Sequence, residues 1–520
     1  MSRAAPSLFL LAALLFFFAL GGHQLQGSTE ARVAGIAMEM HLDNDWVTPR
    51  LFGEPFLEKP PLSLWLDAGA MRVFGVSPWA VRLASAVAGL LSVMALYGML
   101  RRFGRPKTIA WTAGILLATM ASYWSNVRGV GEDALLALGV TMALLAFFQA
   151  QRVSTAGNSL LFVVGIAIAT LSKGVLGLAM PGVVIFAYLL ADTLLDKRLK
   201  IGDWLRPGLL TVIGLIPLLI WLVVLYQHGG AQAVREVLLT NSVGRFSGSF
   251  VEAGHYEPFY YYLAKLPQAF LPWNILVYLG LWHFRKQLKA NRYLLFFSLW
   301  IVAQFIMLTL ASSKRTVYLM SMTPAAAVIA AEYAGVLCDK LKAYESIHSF
   351  VGRIARHRQA LAAGVLTVVI ASYLGAAQWA LPNADKHLSF LPLTEHIQAL
   401  QADGHQVALF QANERVGGAS VFYTQSVLKG LDTDAQLRAF LRVSPTHVAV
   451  IAADIEPAAP LKVLKTMKVG RQAYYFVGYE DIPQQQLEPS SHKKASRMPV
   501  TNSVRQKSFQ LSGLLPINTC

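Results

Sequence analysis

Ser28-Thr29-Glu30-Ala31-Arg32-Val33, Asp45-Trp46-Val47-Thr48-Pro49-Arg50 and Glu58-Lys59-Pro60-Pro61-Leu62 belong to one stretch, residues 28–65, set between two apolar runs. Those runs, roughly 7–22 and 78–99, are each long enough to cross a bilayer. The stretch itself carries Glu30, Arg32, Glu39, Asp43, Asp45, Arg50, Glu54, Glu58 and Lys59. Val33, Ile36, Ala37 and Met40 follow the i, i+3, i+4, i+7 spacing of an amphipathic helix. The spacing predicts a short helix after Thr29, with Thr29 as N-cap and Glu30 in the first turn. It should lie on the membrane surface, apolar face down, with its charges toward a cavity. The prolines after Glu58 and Lys59 exclude helix there and predict an extended segment that fixes a carboxylate and an ammonium. The alternative is a solvated, mixed-charge loop.

The rest of the chain supports a membrane setting. Of 520 residues, 55% are hydrophobic and 14% charged, and the mean hydropathy is +0.46. Soluble domains carry about 25% charged residues. Further apolar runs recur at roughly 108–125, 132–150, 159–172, 175–192, 207–227, 267–284, 293–311, 317–337 and 360–381. An α-helical polytopic membrane protein is expected. The first run also has the look of a signal peptide, but the many runs behind it favour a retained helix.

The net charge of +16 would point to nucleic acid in a soluble protein. Here the basic residues fall in short loops: Arg101 to Lys107, Arg152, Lys197 to Arg206, Arg285 to Arg292, and Lys340 to Arg358. These loops share one parity along the chain, so topology and anionic lipid explain them, and nucleic acid is not expected as a partner. A cytoplasmic N-terminus puts all of them in the cytoplasm. The outer side then receives the loops 23–77 and 228–266, the Lys173 turn and everything after about residue 382. Glu132 and Asp133 open one apolar run and Lys173 interrupts another; charges at that depth mark a site by default.

Two cysteines, Cys338 and Cys520, give neither a disulfide framework nor a metal pattern. There is no P-loop and no glycine-rich dinucleotide motif, which argues against an ATP-driven transporter. Residues 1–381 read as the membrane domain with outer catalytic loops. Residues 382–480 read as a soluble α/β domain, with helices at 393–402 and 433–442 and strands at 407–410, 447–451 and 473–477. Residues 481–520, rich in Gln, Ser, Lys and Pro, read as a disordered tail.

Carboxylates beside lysines and arginines at a lipid rim suit transfer from a lipid phosphate. A carboxylate can accept a proton, and the cations can hold the leaving phosphate. His255 in the second long loop can bind a metal or move a proton.

Asp45-Trp46-Val47-Thr48-Pro49-Arg50-Leu51-Phe52-Gly53, Phe56-Leu57-Glu58-Lys59-Pro60-Pro61-Leu62, Phe74-Gly75-Val76 and Arg82-Leu83 together resemble the lipid A aminoarabinose transferase family. These are class C glycosyltransferases related to protein mannosyltransferases. The likeness continues through Arg128 with Asp133, Lys173-Gly174, Arg245-Phe246 with His255, Pro272-Trp273 and Ser313-Lys314-Arg315 with Tyr318, across most of the first 340 residues.

The resemblance implies about 11–13 transmembrane helices, an inner-membrane location and a periplasmic active site. It also implies an inverting transfer from a sugar on undecaprenyl phosphate to a cell-envelope acceptor such as lipid A. By resemblance, Glu30, Glu58 and Asp133 are the catalytic candidates. Arg32, Lys59, Lys173 and Arg245 would contact the donor phosphate, and Glu58 with His255 could hold a divalent metal ion. The family's Asp before Glu30 is Thr29 here, which cannot act as a base at neutral pH, so Glu30 takes over or Glu58 is the main carboxylate. Two other classes compete: a lipid-linked-sugar carrier or flippase, which needs broken helices on both faces, and an inactive glycolipid-binding relative.

Overall fold

The computed structural model of the chain describes residues 4–244, 256–342 and 350–479. Helix α1 (Ala4–Phe17) leads to α2 (Gly27–Asp43), a small hairpin of β1 (Arg50–Leu51) and β2 (Glu54–Pro55), and α3 (Leu62–Phe74). Then follow α4 (Pro78–Arg102), α5 (Lys107–Ala118), α6 (Ala121–Val127), α7 (Asp133–Arg152), α8 (Ala156–Asp196) and α9 (Ile201–Arg235). Further helices cover Tyr261–Ala269, Asn274–Phe284, Arg292–Leu310, Thr323–Lys342 and Phe350–Gly375. Among the described residues, seven helical runs are long and apolar enough to cross a membrane; Ala4–Phe17, Lys107–Ala118 and Asn274–Phe284 are shorter apolar helices.

The 41 residues of α8 would reach about 60 Å if straight, twice a bilayer's hydrocarbon thickness. Instead the helix folds back. The backbone leaves helical geometry at Lys173 and Gly174, where Gly174 takes φ 51° and ψ −125°. Such a φ is open to glycine and strained for other residues. Past the turn, Gly177 returns so close that a Cβ there would stand 2.0 Å from the Ala169 carbonyl oxygen. The two expected runs at 159–172 and 175–192 are the two limbs, and the turn puts Lys173 at their common end. Both limbs pack on α7, in a core that continues through the stacked aromatics Phe148, Phe296, Phe297 and Trp300.

The helix in the first long loop departs from expectation in two ways. It begins at Gly27 with Gln26 at the N-cap position, so Thr29 lies inside the first turn rather than capping it. Nor does it present one apolar face to lipid. Ala31, Val33, Ala34, Ile36, Ala37, Met38 and Met40 are all buried, covering most of its circumference. It lies between α3 and the helix Glu414–Thr424 of the C-terminal module. Small residues make this possible: a Cβ on Gly35 would stand 2.3 Å from the Cα of Gly418. Periodicity at 3.6 residues reports a buried face, and it cannot say whether lipid or protein covers it.

The loop that follows is held by its own polar groups. Glu39, fully buried on α2, accepts hydrogen bonds from the amides of Phe52 (2.6 Å) and Gly53 (2.9 Å) at the turn between β1 and β2. Asp45 accepts from the amides of Val47 and Thr48, and the indoles of Trp65 and Trp221 donate to the carbonyls of Trp46 and Val47. These bonds deliver Glu58 and Lys59 to a bend just before α3, where the prolines block earlier helix.

The C-terminal module is a mixed five-stranded sheet of order β4-β3-β5-β7-β6. Strands β3 (Gln406–Phe410), β4 (Lys429–Leu431) and β5 (His447–Ala453) are parallel; β6 (Leu461–Val469) and β7 (Gln472–Tyr479) complete it antiparallel. Helix Asp434–Leu441 carries a capping box between Thr433 and Gln436. The expected helices and strands are present. Strands β4 and β6 and helix Glu414–Thr424 were not expected. On β6, Lys462, Lys465 and Lys468 interrupt any apolar run, and its pairing to β7 supplies what its sequence lacks. The last helical run continues past the change in composition, through Leu381–Leu388. The tail from residue 481, with Cys520, lies outside the described residues.

Candidate active site at the outer ends of the helices

Lys59, Lys173, Glu132 and Asp133 come together where α3, α7 and α8 meet. Glu132 precedes α7 and Asp133 is its first residue, so both carboxylates sit at a helix N-terminus, which favours negative charge. The fold-back of α8 brings Lys173 to the same point. Lys59 Nζ lies 2.7 Å from Glu132 Oε1, and Lys173 Nζ lies 3.3 Å from the same oxygen. Lys173 also pairs with Asp133, and its ammonium stands 4.7 Å from the centroid of the Tyr318 ring. Burial alone would push the Glu132 carboxyl up; the two lysines outweigh this and hold it well below the usual carboxylate range.

The cluster extends toward α2. Glu58 Oε2 is 3.4 Å from Lys59 Nζ and 3.3 Å from a guanidinium nitrogen of Arg32. Arg32 also binds Glu414 at 2.7 Å. The result is one chain of alternating charge: Glu414, Arg32, Glu58, Lys59, Glu132, Lys173, Asp133. Asp67 on α3 is buried nearby. Burial, then the charge of Glu132, pushes its carboxyl well above the ordinary value and favours its neutral form.

Glu30 lines a cavity shared with Asp133 and is tied to a different cation. Arg82, with no exposed side-chain surface, donates to both Glu30 oxygens, at 3.0 and 2.9 Å. The amides of Gln26 and Val130 donate to the same carboxylate at 3.0 and 3.1 Å. Arg82 also donates to the carbonyls of Leu20, His23 and Gln24. Against the upward push of burial, the Arg82 guanidinium and these bonds hold the Glu30 carboxyl below its ordinary value. Thr29 points into a cavity of about 340 Å³ lined also by Asn126, Asp133 and Arg315, and Arg315 donates to its hydroxyl at 3.0 Å.

Glu30→Gln is therefore expected to cost about 3–5 kcal/mol of stability, because it leaves a buried guanidinium without its counter-charge. Thermal unfolding in detergent at neutral pH checks this, and transfer per folded molecule should change little. The folded carboxyl titrates below its unfolded value. Its contribution is thus full above the ordinary carboxylate range and is lost as pH falls through the lowered value.

The structure thus brings together Glu58, Asp133, Arg32, Lys59 and Lys173 and ties Glu30 to Arg82. Arg245 and His255 lie outside the described residues. Glu58 pairs with Arg32 and Lys59, and its pairing with His255 around a divalent ion falls outside the described residues. Among the described residues no cluster of three or more His, Cys, Asp or Glu side chains is placed to hold a metal. Two members of the charge chain have no assigned role at the level of sequence: Glu132, marked there only as a charge at membrane depth, and Glu414. Glu132 carried the same signal as Asp133, a carboxylate opening an apolar run. Glu414 carried none, since it is an ordinary charged residue of a soluble module.

An apolar groove of about 610 Å³ is lined by residues that neighbour this cluster along the chain. Leu62 and Trp65 follow Lys59 by a few residues, Leu135 follows Asp133, and Ile168 precedes Lys173; the groove runs between them along Leu66, Val73, Val87, Leu91 and Leu138.

Residues 58–221 match the family model described as dolichyl-phosphate-mannose-protein mannosyltransferase. The undecaprenyl phosphate-alpha-4-amino-4-deoxy-L-arabinose arabinosyl transferase 2 of Proteus mirabilis is 27% identical over 335 residues, covering 64% of this chain and 59% of that protein. The corresponding transferase of Pseudomonas aeruginosa is 30% identical over 329 residues, covering 61% and 57%. The chain therefore matches less than two thirds of the length of these relatives. Among solved structures, ArnT from Cupriavidus metallidurans bound to undecaprenyl phosphate superposes with TM-score 0.69 at 20% identity, over 92% of this chain and 98% of that one. Its apo form gives 0.70 at 19%, over 91% and 98%. The fold is that of a polytopic membrane protein with a C-terminal sheet domain.

Proposed function

We propose that this chain, a relative of the undecaprenyl-phosphate aminoarabinose transferases and the protein mannosyltransferases, moves a sugar from a polyprenyl phosphate to an envelope acceptor such as lipid A. The observation that carries this is a buried lysine, Lys173, and a half-buried one, Lys59, at the chain-neighbouring end of an apolar groove. A lipid phosphate needs both: a bilayer-facing slot for the prenyl chain and point charges for the phosphate at its end. Each ammonium has three N–H donors and pairs with two carboxylates, Lys59 with Glu58 and Glu132 and Lys173 with Glu132 and Asp133, which leaves a direction for a phosphate oxygen.

In the proposed reaction the prenyl chain lies along Leu62, Trp65 and Leu135. The phosphate meets Lys59 and Lys173, with Arg245 as a further contact by resemblance. Asp133 and Glu132 orient the lysines. The acceptor's oxygen or nitrogen attacks the anomeric carbon from the face opposite the phosphate, the carbon–oxygen bond to phosphate breaks, and the anomer inverts. Glu58 takes the acceptor's proton where there is one and stabilises positive charge developing on the sugar. Lys59 and Lys173 stabilise the charge left on polyprenyl phosphate. Glu30 acts by holding Arg82 and the start of α2 in place.

The basic loops support a cytoplasmic N-terminus, an outer, periplasmic site and module, and a place in the bacterial inner membrane. Reporter fusions at Arg105 and at Pro382 are expected to report opposite sides of the membrane. A cytoplasmic signal at Pro382 would sink this arrangement.

The reading is tested with the full chain in nanodiscs, a labelled polyprenyl-phosphate sugar and a glycolipid acceptor. Transfer with release of polyprenyl phosphate is expected. Absence of transfer, together with unchanged envelope glycolipids in cells lacking the gene, would reject it.

A further inference from the structure

Glu414 reaches the charge chain from outside the helical bundle. It stands in the first turn of its helix, just after the Asn413 cap, and accepts a hydrogen bond from Arg32 Nη1 at 2.7 Å. The other end of the same guanidinium, Nη2, is 3.3 Å from Glu58 Oε2. Arg32 and Glu58 are nearly buried, with side chains 11% and 10% exposed, whereas Glu414 is half exposed at 50%. A flexible surface carboxylate would be a poor anchor, but this one is carried on a helix that cannot slide. A Cβ on Gly418 would stand 2.3 Å from the Ala31 carbonyl oxygen, and one on Gly417 would stand 2.0 Å from the Phe52 ring. The backbones of the two helices are therefore in contact at Arg32 itself and one turn from Glu414.

We infer that Glu414 is a positioning residue for transfer, supplied to the site by the C-terminal module. This rests on the transferase reading. A guanidinium is a rigid planar fork, so fixing one nitrogen fixes the direction of the other. With Nη1 held by Glu414, Arg32 offers Glu58 a single nitrogen. Released from Glu414, Arg32 is free to turn both nitrogens onto Glu58, covering the carboxylate that must face the acceptor. The module thereby contributes to the site: its docking sets how Arg32 is presented to Glu58.

The test uses the purified full chain in nanodiscs and the variants Glu414→Gln, Glu414→Asp, Arg32→Gln and the double variant Arg32→Gln/Glu414→Gln. Loss of the anchor is expected to lower kcat about tenfold in Glu414→Gln, with donor KM changed by less than about twofold, the pattern of an interaction felt in the chemical step. Glu414→Asp should recover part of the rate. The double variant should be no slower than Arg32→Gln alone, since both act through one group. A second readout does not depend on activity. Modification of Arg32 by phenylglyoxal, followed by mass spectrometry, should be several-fold faster in Glu414→Gln than in the unaltered chain.

Full activity in Glu414→Gln overturns the inference. So do losses that multiply in the double variant, and equal losses in Gln and Asp variants that follow a lowered melting temperature. If the unaltered chain transfers no sugar, the transferase reading fails, and the modification rate still decides whether Glu414 holds Arg32; an unchanged rate overturns that.

Discussion

Glu58→Gln is expected to abolish sugar transfer while leaving a folded membrane protein. The substitution keeps the shape and removes the charge. General base and charge-stabilising groups contribute about 10²–10⁴-fold to such steps, so the residual rate should fall to the limit of the assay. The fold should tolerate the change, because Arg32 keeps Glu414 and Lys59 keeps Glu132 when Glu58 is neutral. Binding of polyprenyl phosphate should persist, since neither lysine is altered. Near-normal transfer by purified Glu58→Gln would remove the catalytic assignment of Glu58. The matching experiment on Glu30 separates two kinds of carboxylate: one whose loss stops chemistry in an intact protein, and one whose loss weakens the protein that performs it.

Lys59→Ala and Lys173→Ala are each expected to cost about 1.5–3 kcal/mol in binding the leaving phosphate, the worth of a charge-assisted hydrogen bond. In rate this is roughly tenfold to over a hundredfold. The two differ in their side effects. Lys59 links Glu58 to Glu132, and its removal leaves Glu58 paired with Arg32 and Glu132 paired with Lys173. Lys173 is buried between Glu132 and Asp133, so its removal leaves Asp133 with no ion-pair partner among the described residues and should also lower the melting temperature. Titration with polyprenyl phosphate alone, without sugar or acceptor, isolates the phosphate contact. Unchanged affinity and turnover in Lys59→Ala would end the assignment of that lysine to the phosphate.

Local chemistry sufficed for much of this protein. Apolar runs of bilayer length, separated by loops whose basic residues share one parity, determined a polytopic membrane chain, because a span must be long and apolar whatever it packs against. The Glu58-Lys59-Pro60-Pro61 block announced a fixed carboxylate and ammonium, because proline restricts the backbone before any tertiary contact forms. Lys173 in the middle of an apolar run announced buried carboxylate partners, because an unpartnered charge there is too costly to persist.

Tertiary structure decided the partners. Glu30 and Glu58 look alike in sequence; one is enclosed by Arg82, 52 residues away, and the other stands between Arg32 and Lys59. Glu132 gained its place only when α8 folded back and set Lys173 beside it. Helix α2 announced an apolar face, but the glycines that let helix Glu414–Thr424 cover it lie almost 400 residues further on. Residue type and spacing fix what a side chain can do within a turn or two of backbone. Which charge neutralises which, and which face is covered by protein rather than lipid, depends on contacts between segments far apart in the chain, and these the tertiary fold alone supplies.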